Sequence, residues 1–181
     1  VFDLPQGDAN RITAFAPESF DCVYSSHCLE HMHDPEKTLA NWWSLVAPGG
    51  CLFFIVPDED LYEQGVFPSR FNGDHKSTFT LAKKRSWSSR SFNVLALCAA
   101  LPGGRLESAC LNDIGYDRGL ALHGPVVRGA LRRLRRFYES LKKRGLWPAS
   151  AGWERATAAS MVRDQTAGDA MAQIEVIVRK H

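Results

Sequence analysis

Cys51-Leu52-Phe53-Phe54-Ile55-Val56 is six apolar residues in succession, followed at once by Pro57-Asp58-Glu59-Asp60. A strand with one face in water alternates polar and apolar positions, and this run does not, so it suits a strand of a parallel sheet covered on both faces. Parallel neighbours need a crossover between them, usually a helix. The residues upstream supply one. Phe20-Asp21-Cys22-Val23-Tyr24-Ser25-Ser26 is rich in β-branched and aromatic residues and predicts a buried strand. His27 to His31 predicts a helical turn, and Asp34-Pro35-Glu36 then offers a cap, a proline at the first helical position and an early acid. Leu39, Trp42, Trp43 and Val46 recur at i, i+3, i+4 and i+7 as one apolar face. Pro48-Gly49-Gly50 is expected to stop that helix.

Strand, helix and strand make a βαβ unit with an expected right-handed crossover. In open α/β sheets ligands bind beyond the carboxyl ends of the strands. Here those ends are Ser25-Ser26-His27 and Pro57-Asp58-Glu59-Asp60, so the polar residues of the unit gather on one rim.

Phe20-Asp21-x-Val23-Tyr24-Ser25-Ser26-His27-x-Leu29-Glu30-His31, followed by Leu45-Val46-x-Pro48-Gly49-Gly50 and a hydrophobic strand, resembles class I S-adenosylmethionine-dependent methyltransferases, especially the small-molecule group called type 11. The resemblance covers residues 1–115 and returns at the final strand. It implies a Rossmann-like α/β sheet with flanking helices. It also implies S-adenosylmethionine as cofactor, with Asp8 and Ala9 at the adenine, the acid accepting from the exocyclic amine. Ser25, Ser26 and His27 would face the methionine part and the acceptor, and His31 lies in the same cofactor-facing stretch. The glycine-rich loop and ribose-binding acid of that family do not occur before Asp8. The expectation is therefore a partial domain truncated at its N-terminus, with a non-catalytic fragment or binding module as the alternative to a methyltransferase.

The cofactor brings a good leaving group, and the protein must position the acceptor and exclude water. An acceptor hydroxyl also needs a base. His27, His75, Asp58 and Asp60 are the candidates. His75 enters because Asp58 to Ser91 reads as a long irregular segment over the rim, too polar and too broken by Gly and Pro for core, and such loops often carry function. Phe92 to Leu101 predicts a helix stopped by Pro102-Gly103-Gly104, and Arg105 to Leu111 a strand.

The formal charge of +2 does not by itself call for a polyanionic partner, and nucleic acid is not expected. Five cysteines, an odd number lying in mostly apolar segments, fit reduced buried thiols and not a disulfide framework. His27, Cys28, His31 and His33 lack a second Cys/His pair at metal-ligand spacing, so no metal is expected. No transmembrane-length run or signal-peptide pattern occurs, and a cytoplasmic location is expected.

Gly124 to Arg144 places Val127, Leu131, Leu134, Tyr138 and Leu141 on one helical stripe and Arg128, Arg132, Arg133, Arg135, Arg136, Lys142, Lys143 and Arg144 on the remaining faces. This basic helix reads as part of an insertion at about 118–165, ahead of the strand Gln173 to Val178. Its stripe should dock on the sheet. Its basic side offers a possible contact over residues 125–144 for an anionic partner. The whole chain, 1–181, is expected to form one partial domain that acts on a small-molecule or carbohydrate-like acceptor.

Overall fold

A computed structural model describes residues 6–120, 125–146 and 163–181. The expected strand end at Val1 to Leu4 lies outside them.

The βαβ unit forms as anticipated. β1 (Phe20–Ser26) leads through a single turn at Leu29–His31 into α1 (Pro35–Ser44), whose cap is the Asp34 carboxylate accepting from Lys37 N–H. β2 (Val46–Pro57) follows and pairs with β1 in parallel. Leu39, Trp42 and Trp43 are buried on α1, and Leu52, Phe54 and Val56 are fully buried on β2.

Pro48-Gly49-Gly50 corrects the sequence reading, because it lies inside β2 and not between helix and strand. Phe20 faces Val46 and Cys22 faces Cys51, so the extra residues of β2 loop out as an irregularity in the ladder. Gly49 sits at φ +80°, and a Cβ on Gly50 would meet the Asp21 carbonyl oxygen at 2.7 Å. The two glycines serve strand pairing, one by conformation and one by close approach.

The remaining elements are β3 (Thr78–Thr80), β4 (Ser91–Asn93), α2 (Val94–Ala99), β5 (Gly104–Asn112), α3 (Pro125–Lys143) and β6 (Gln173–Lys180). The main sheet runs β1-β2-β6-β5, and β6 is antiparallel to both neighbours. The final strand thus enters the middle of the described sheet, where Ile174, Val176 and Val178 are fully buried. This is the expected α/β architecture with a mixed, Rossmann-like sheet.

β1 is an edge strand of the described sheet, and its residues are exposed or half-buried, with Tyr24 59% exposed. The buried strand inferred from composition is corrected there. The cysteines follow the same pattern: all five are free, but only Cys98 is buried, while Cys22 and Cys110 are exposed.

The stretch from Asp58 to Ser91 is more ordered than its composition suggested. Glu59–Glu63 forms one wide helical turn, and β3 and β4 pair in parallel as a small second sheet. Glu59 is fully buried and accepts from Thr78 Oγ1, Ser86 Oγ and Ser91 Oγ at 3.2, 2.7 and 2.6 Å and from Lys83 Nζ at 3.2 Å. A buried carboxylate is tolerable only when paired and hydrogen-bonded. This one gathers the whole segment around itself, and Phe79, next to Thr78 on β3, joins the hydrophobic core.

On α3, Tyr138 is buried, whereas Leu134 is 45% and Phe137 63% exposed. The expected docking stripe therefore holds at Tyr138 and fails at Leu134. The side chains of Val127, Leu131, Arg128, Arg132 and Arg135 lie outside the described residues.

Candidate functional site

At the carboxyl end of β1 the chain turns sharply. His27 adopts a left-handed backbone at φ 49°, and its N–H donates to the Ile55 carbonyl at 3.0 Å. A non-glycine residue there is uncommon and costs energy, and such residues concentrate at functional sites. The turn delivers His27, Glu30 and His31 to a cleft of about 720 Å³, which His75, Tyr62 and Gln173 also line. That volume is typical of small-molecule sites.

Glu30 lies at the centre. Its side chain is 1% exposed, and neither carboxylate oxygen has a hydrogen-bond partner among the described residues. His27 Nδ1 stands 3.5 Å and His31 Nε2 4.0 Å from Glu30 Oε1. The Glu30 backbone carbonyl accepts from Lys76 N–H and Ser77 N–H, which ties the loop carrying His75 to the rim.

The three histidines are held differently. His75 is buried, and its Nδ1 lies 2.7 Å from Glu63 Oε1. His31 Nδ1 lies 3.0 Å from Asp74 Oδ2. A carboxylate on Nδ1 fixes the proton there and leaves the lone pair on Nε2. His27, by contrast, presents Nδ1 to Glu30 and Nε2 to Gln173 Oε1 at 3.0 Å, acceptors on both sides. The Glu30 carboxylate raises its pKa above the ordinary imidazole range, with Gln173 contributing less, against the opposing effect of burial. His27 is thereby held as a donor, a poor starting state for a base. Tyr62 packs beside His75 with ring centroids 5.2 Å apart, and burial pushes its pKa up to about 12, so it stays a neutral wall.

The cleft brings together His27, His31 and His75 of the anticipated residues. It does not include the others. Asp58 is buried, and its carboxylate accepts from Asp60 N–H and Leu61 N–H as the cap of the following turn. Asp60 accepts from Trp87 Nε1 at 3.0 Å and pairs with Lys83. Ser25 and Ser26 lie on β1 outside the cleft lining, although the Ser25 hydroxyl is buried without a partner among the described residues. Asp8 lines a second hollow of about 420 Å³ with Asn10, His33 and Lys37, and the two hollows share no lining residue. Its carboxylate accepts from both the backbone and side-chain N–H groups of Asn10, which hold its pKa below the usual carboxylate range. Ala9 is anchored by Trp42 Nε1 donating to its carbonyl at 2.9 Å.

Glu30 and Glu63 were missed as site residues. Glu30 sits next to His31 and reads as a helix-start acid. Glu63 carries no local signal, since its partner His75 is twelve residues away across a loop.

Residues 2–54 match the model of a family described as a methyltransferase domain, which is the class the Phe20 to His31 motif resembles. No curated protein matches the chain. Among solved structures, it is 18% identical to a Haloferax volcanii putative methyltransferase in complex with the Trm112 activator, covering 97% of this chain and 60% of that one with a TM-score of 0.47. It is 16% identical to Haemonchus contortus phosphoethanolamine N-methyltransferase 2 in complex with phosphomonomethylethanolamine and S-adenosylhomocysteine, covering 96% and 36%, TM-score 0.46. The YcgJ protein of Bacillus subtilis is 14% identical, with 97% and 69% covered and a TM-score of 0.47. The chain therefore spans about a third to two thirds of the length of these structures.

Proposed function

We propose that this chain belongs to an S-adenosylmethionine-dependent methyltransferase acting on a small-molecule or carbohydrate-like acceptor. The observation that carries the reading is the coincidence of the matched segment, residues 2–54, with a rim that concentrates His27, Glu30 and His31 beside a ligand-sized cleft. The residues present fit the cofactor at two points: the exposed Asp8 carboxylate is ionised and uses one oxygen on Asn10, and the Ser25 hydroxyl is a buried donor awaiting an acceptor. Asp8 and Ala9 would hold the adenine, and Ser25, Ser26 and His27 the methionine end.

When bound, the cofactor supplies an electrophilic methyl group on a sulfonium. The chain's own residues then orient the acceptor, exclude water and receive its proton. His27, with its ring nitrogens facing Glu30 and Gln173, forms part of the wall against which an acceptor would be oriented. Glu30, His31 and His75 line the part of the cleft where the acceptor's proton has to be handled. Soluble anionic acceptors also have a charged approach, since Arg133 and Arg136 are exposed on α3. No described helix is long and apolar enough to cross a membrane.

The test is calorimetric titration of S-adenosylhomocysteine into the protein, repeated on Asp8→Ala. Saturable binding that the substitution weakens at least tenfold is the expected result. No heat and no thermal shift with either form of the cofactor would overturn the assignment.

A further inference from the structure

We propose that Glu30, His31 and His75 bind one divalent transition-metal ion, of the zinc class, with open coordination positions facing the cleft. Their ligand atoms lie within 4.8 Å of one another. Two imidazoles and one carboxylate are a recurrent donor set for such ions, with three protein ligands leaving room for an exogenous oxygen. The proposal is independent of cofactor binding and reverses the expectation drawn from sequence.

Three separate features point to a cation. The first is Glu30 itself, a carboxylate 1% exposed whose oxygens accept no hydrogen bond among the described residues, with His27 Nδ1 standing off at 3.5 Å. A buried carboxylate normally finds hydrogen bonds or a positive charge, and an ion is the group that would satisfy this one. The second is the outer layer. His75 is backed by Glu63 at 2.7 Å and His31 by Asp74 at 3.0 Å, so each histidine has its Nδ1 on a carboxylate and its Nε2 lone pair available. Carboxylate-backed histidines of this kind characterise metal ligands, because the carboxylate fixes the tautomer and strengthens the donor. The third is rigidity. Glu30 anchors residues 76 and 77 through its backbone carbonyl, so the two sequence-distant parts of the donor set are joined by main-chain hydrogen bonds. Drawing the three donor atoms in to metal-ligand distances of about 2.0–2.2 Å needs movements of roughly an ångström, within the reach of side-chain rotation.

Sequence inspection finds His27, Cys28, His31 and His33 close together and misses the site. The second histidine is 44 positions beyond the first, and the third ligand is a glutamate.

The experiment is zinc titration of the chelator-stripped protein, monitored by competition with a chromophoric chelator, with cobalt(II) absorption as a second readout. Expected are one ion per chain and a cobalt spectrum without a thiolate-to-metal band. Glu30→Gln, His31→Ala and His75→Ala should each weaken zinc binding at least 100-fold, and Glu63→Gln about 10- to 100-fold. His33→Ala and Cys28→Ser should leave it unchanged. Circular dichroism and melting of each stripped variant show whether it is folded, and Glu63→Gln, which removes no ligand, keeps the test valid should a ligand variant unfold. Zinc affinity that survives His75→Ala and Glu63→Gln, a thiolate band, or less than half an ion per chain would overturn the proposal. S-adenosylhomocysteine binding measured on the stripped protein tests the methyltransferase reading separately, so the failure of either is distinguishable from that of the other.

Discussion

Replacing Glu59 by alanine is expected to destabilise the protein by about 3 kcal/mol, although the residue lines neither hollow. Glu59 is fully buried, and four groups converge on it. A hydrogen bond to a charged acceptor contributes roughly 1.5–3 kcal/mol, and a buried donor left without one costs about 1–3 kcal/mol. Thr78 is buried, so its hydroxyl incurs that cost in full. Ser86 and Ser91 are half-buried and can recover water. Lys83 is 37% exposed and keeps Asp60 as a partner, so its loss is discounted. Removing the carboxylate also removes its own desolvation penalty, which offsets part of the sum. The net of about 3 kcal/mol corresponds to a fall in melting temperature of about 6–12 °C for a chain of this size. Urea unfolding of wild type, Glu59→Ala, Glu59→Gln and the exposed control Glu36→Ala measures it. Glutamine keeps one acceptor and should lose less than alanine, and the control should change by less than about 0.5 kcal/mol. A Glu59→Ala loss below about 1 kcal/mol would refute the claim that this carboxylate organises the segment from 59 to 91.

Burial raises the Asp58 pKa from the ordinary 3.8 to about 6, so the folded state holds a proton that the unfolded state has lost. Stability from this group is present below pH 4 and lost as pH rises to 6, by up to roughly 3 kcal/mol; Asp58→Asn, which keeps the capping oxygen, should flatten that slope in urea unfolding at pH 4.5 and 7.5 without lowering stability at the higher pH. Gly50→Ala should cost more than Gly49→Ala, because the former drives a Cβ against the Asp21 carbonyl at 2.7 Å while the latter meets nothing and suffers only its left-handed backbone, about 1–2 kcal/mol; equal melting temperatures for the two variants would contradict this. Tyr138→Ala should cost several kcal/mol, in the range of about 3–5 for large buried side chains, and Leu134→Ala under about 1, since one is 3% and the other 45% exposed; the reverse order in thermal melts would show that α3 docks by its other side.

The sheet was legible because its evidence is local. A six-residue apolar run, a capped amphipathic helix and an alternating final strand each declare themselves within a dozen residues, and pairing them follows from chain connectivity. What periodicity could not show was exposure. Phe20–Ser26 has strand composition whether or not a neighbour covers it, and Leu134 lies on the same helical stripe as Tyr138 whether or not the helix docks there. The site was half legible for a related reason. His27 and His31 follow a strand end, where ligands gather, and His75 sits in a loop expected to overlie that end. Asp58 and Asp60 share the same rim address, yet one carboxylate turns inward to cap a helical turn and the other turns to Trp87 and Lys83. Sequence places an acid at a strand end but cannot say whether its oxygens are already engaged. Conversely, Glu30 and Glu63 look like ordinary helix acids until the fold buries one with no hydrogen bond among the described residues and puts the other against His75. Which carboxylates serve structure and which remain available for chemistry is decided by hydrogen bonds, local ones for Asp58 and ones reaching 12 to 32 positions away for Glu63, Asp60 and Glu59; in this chain that accounting separates Glu59, hydrogen-bonded by four groups, from Glu30, whose oxygens accept no hydrogen bond among the described residues and face His27 and His31 at 3.5 and 4.0 Å.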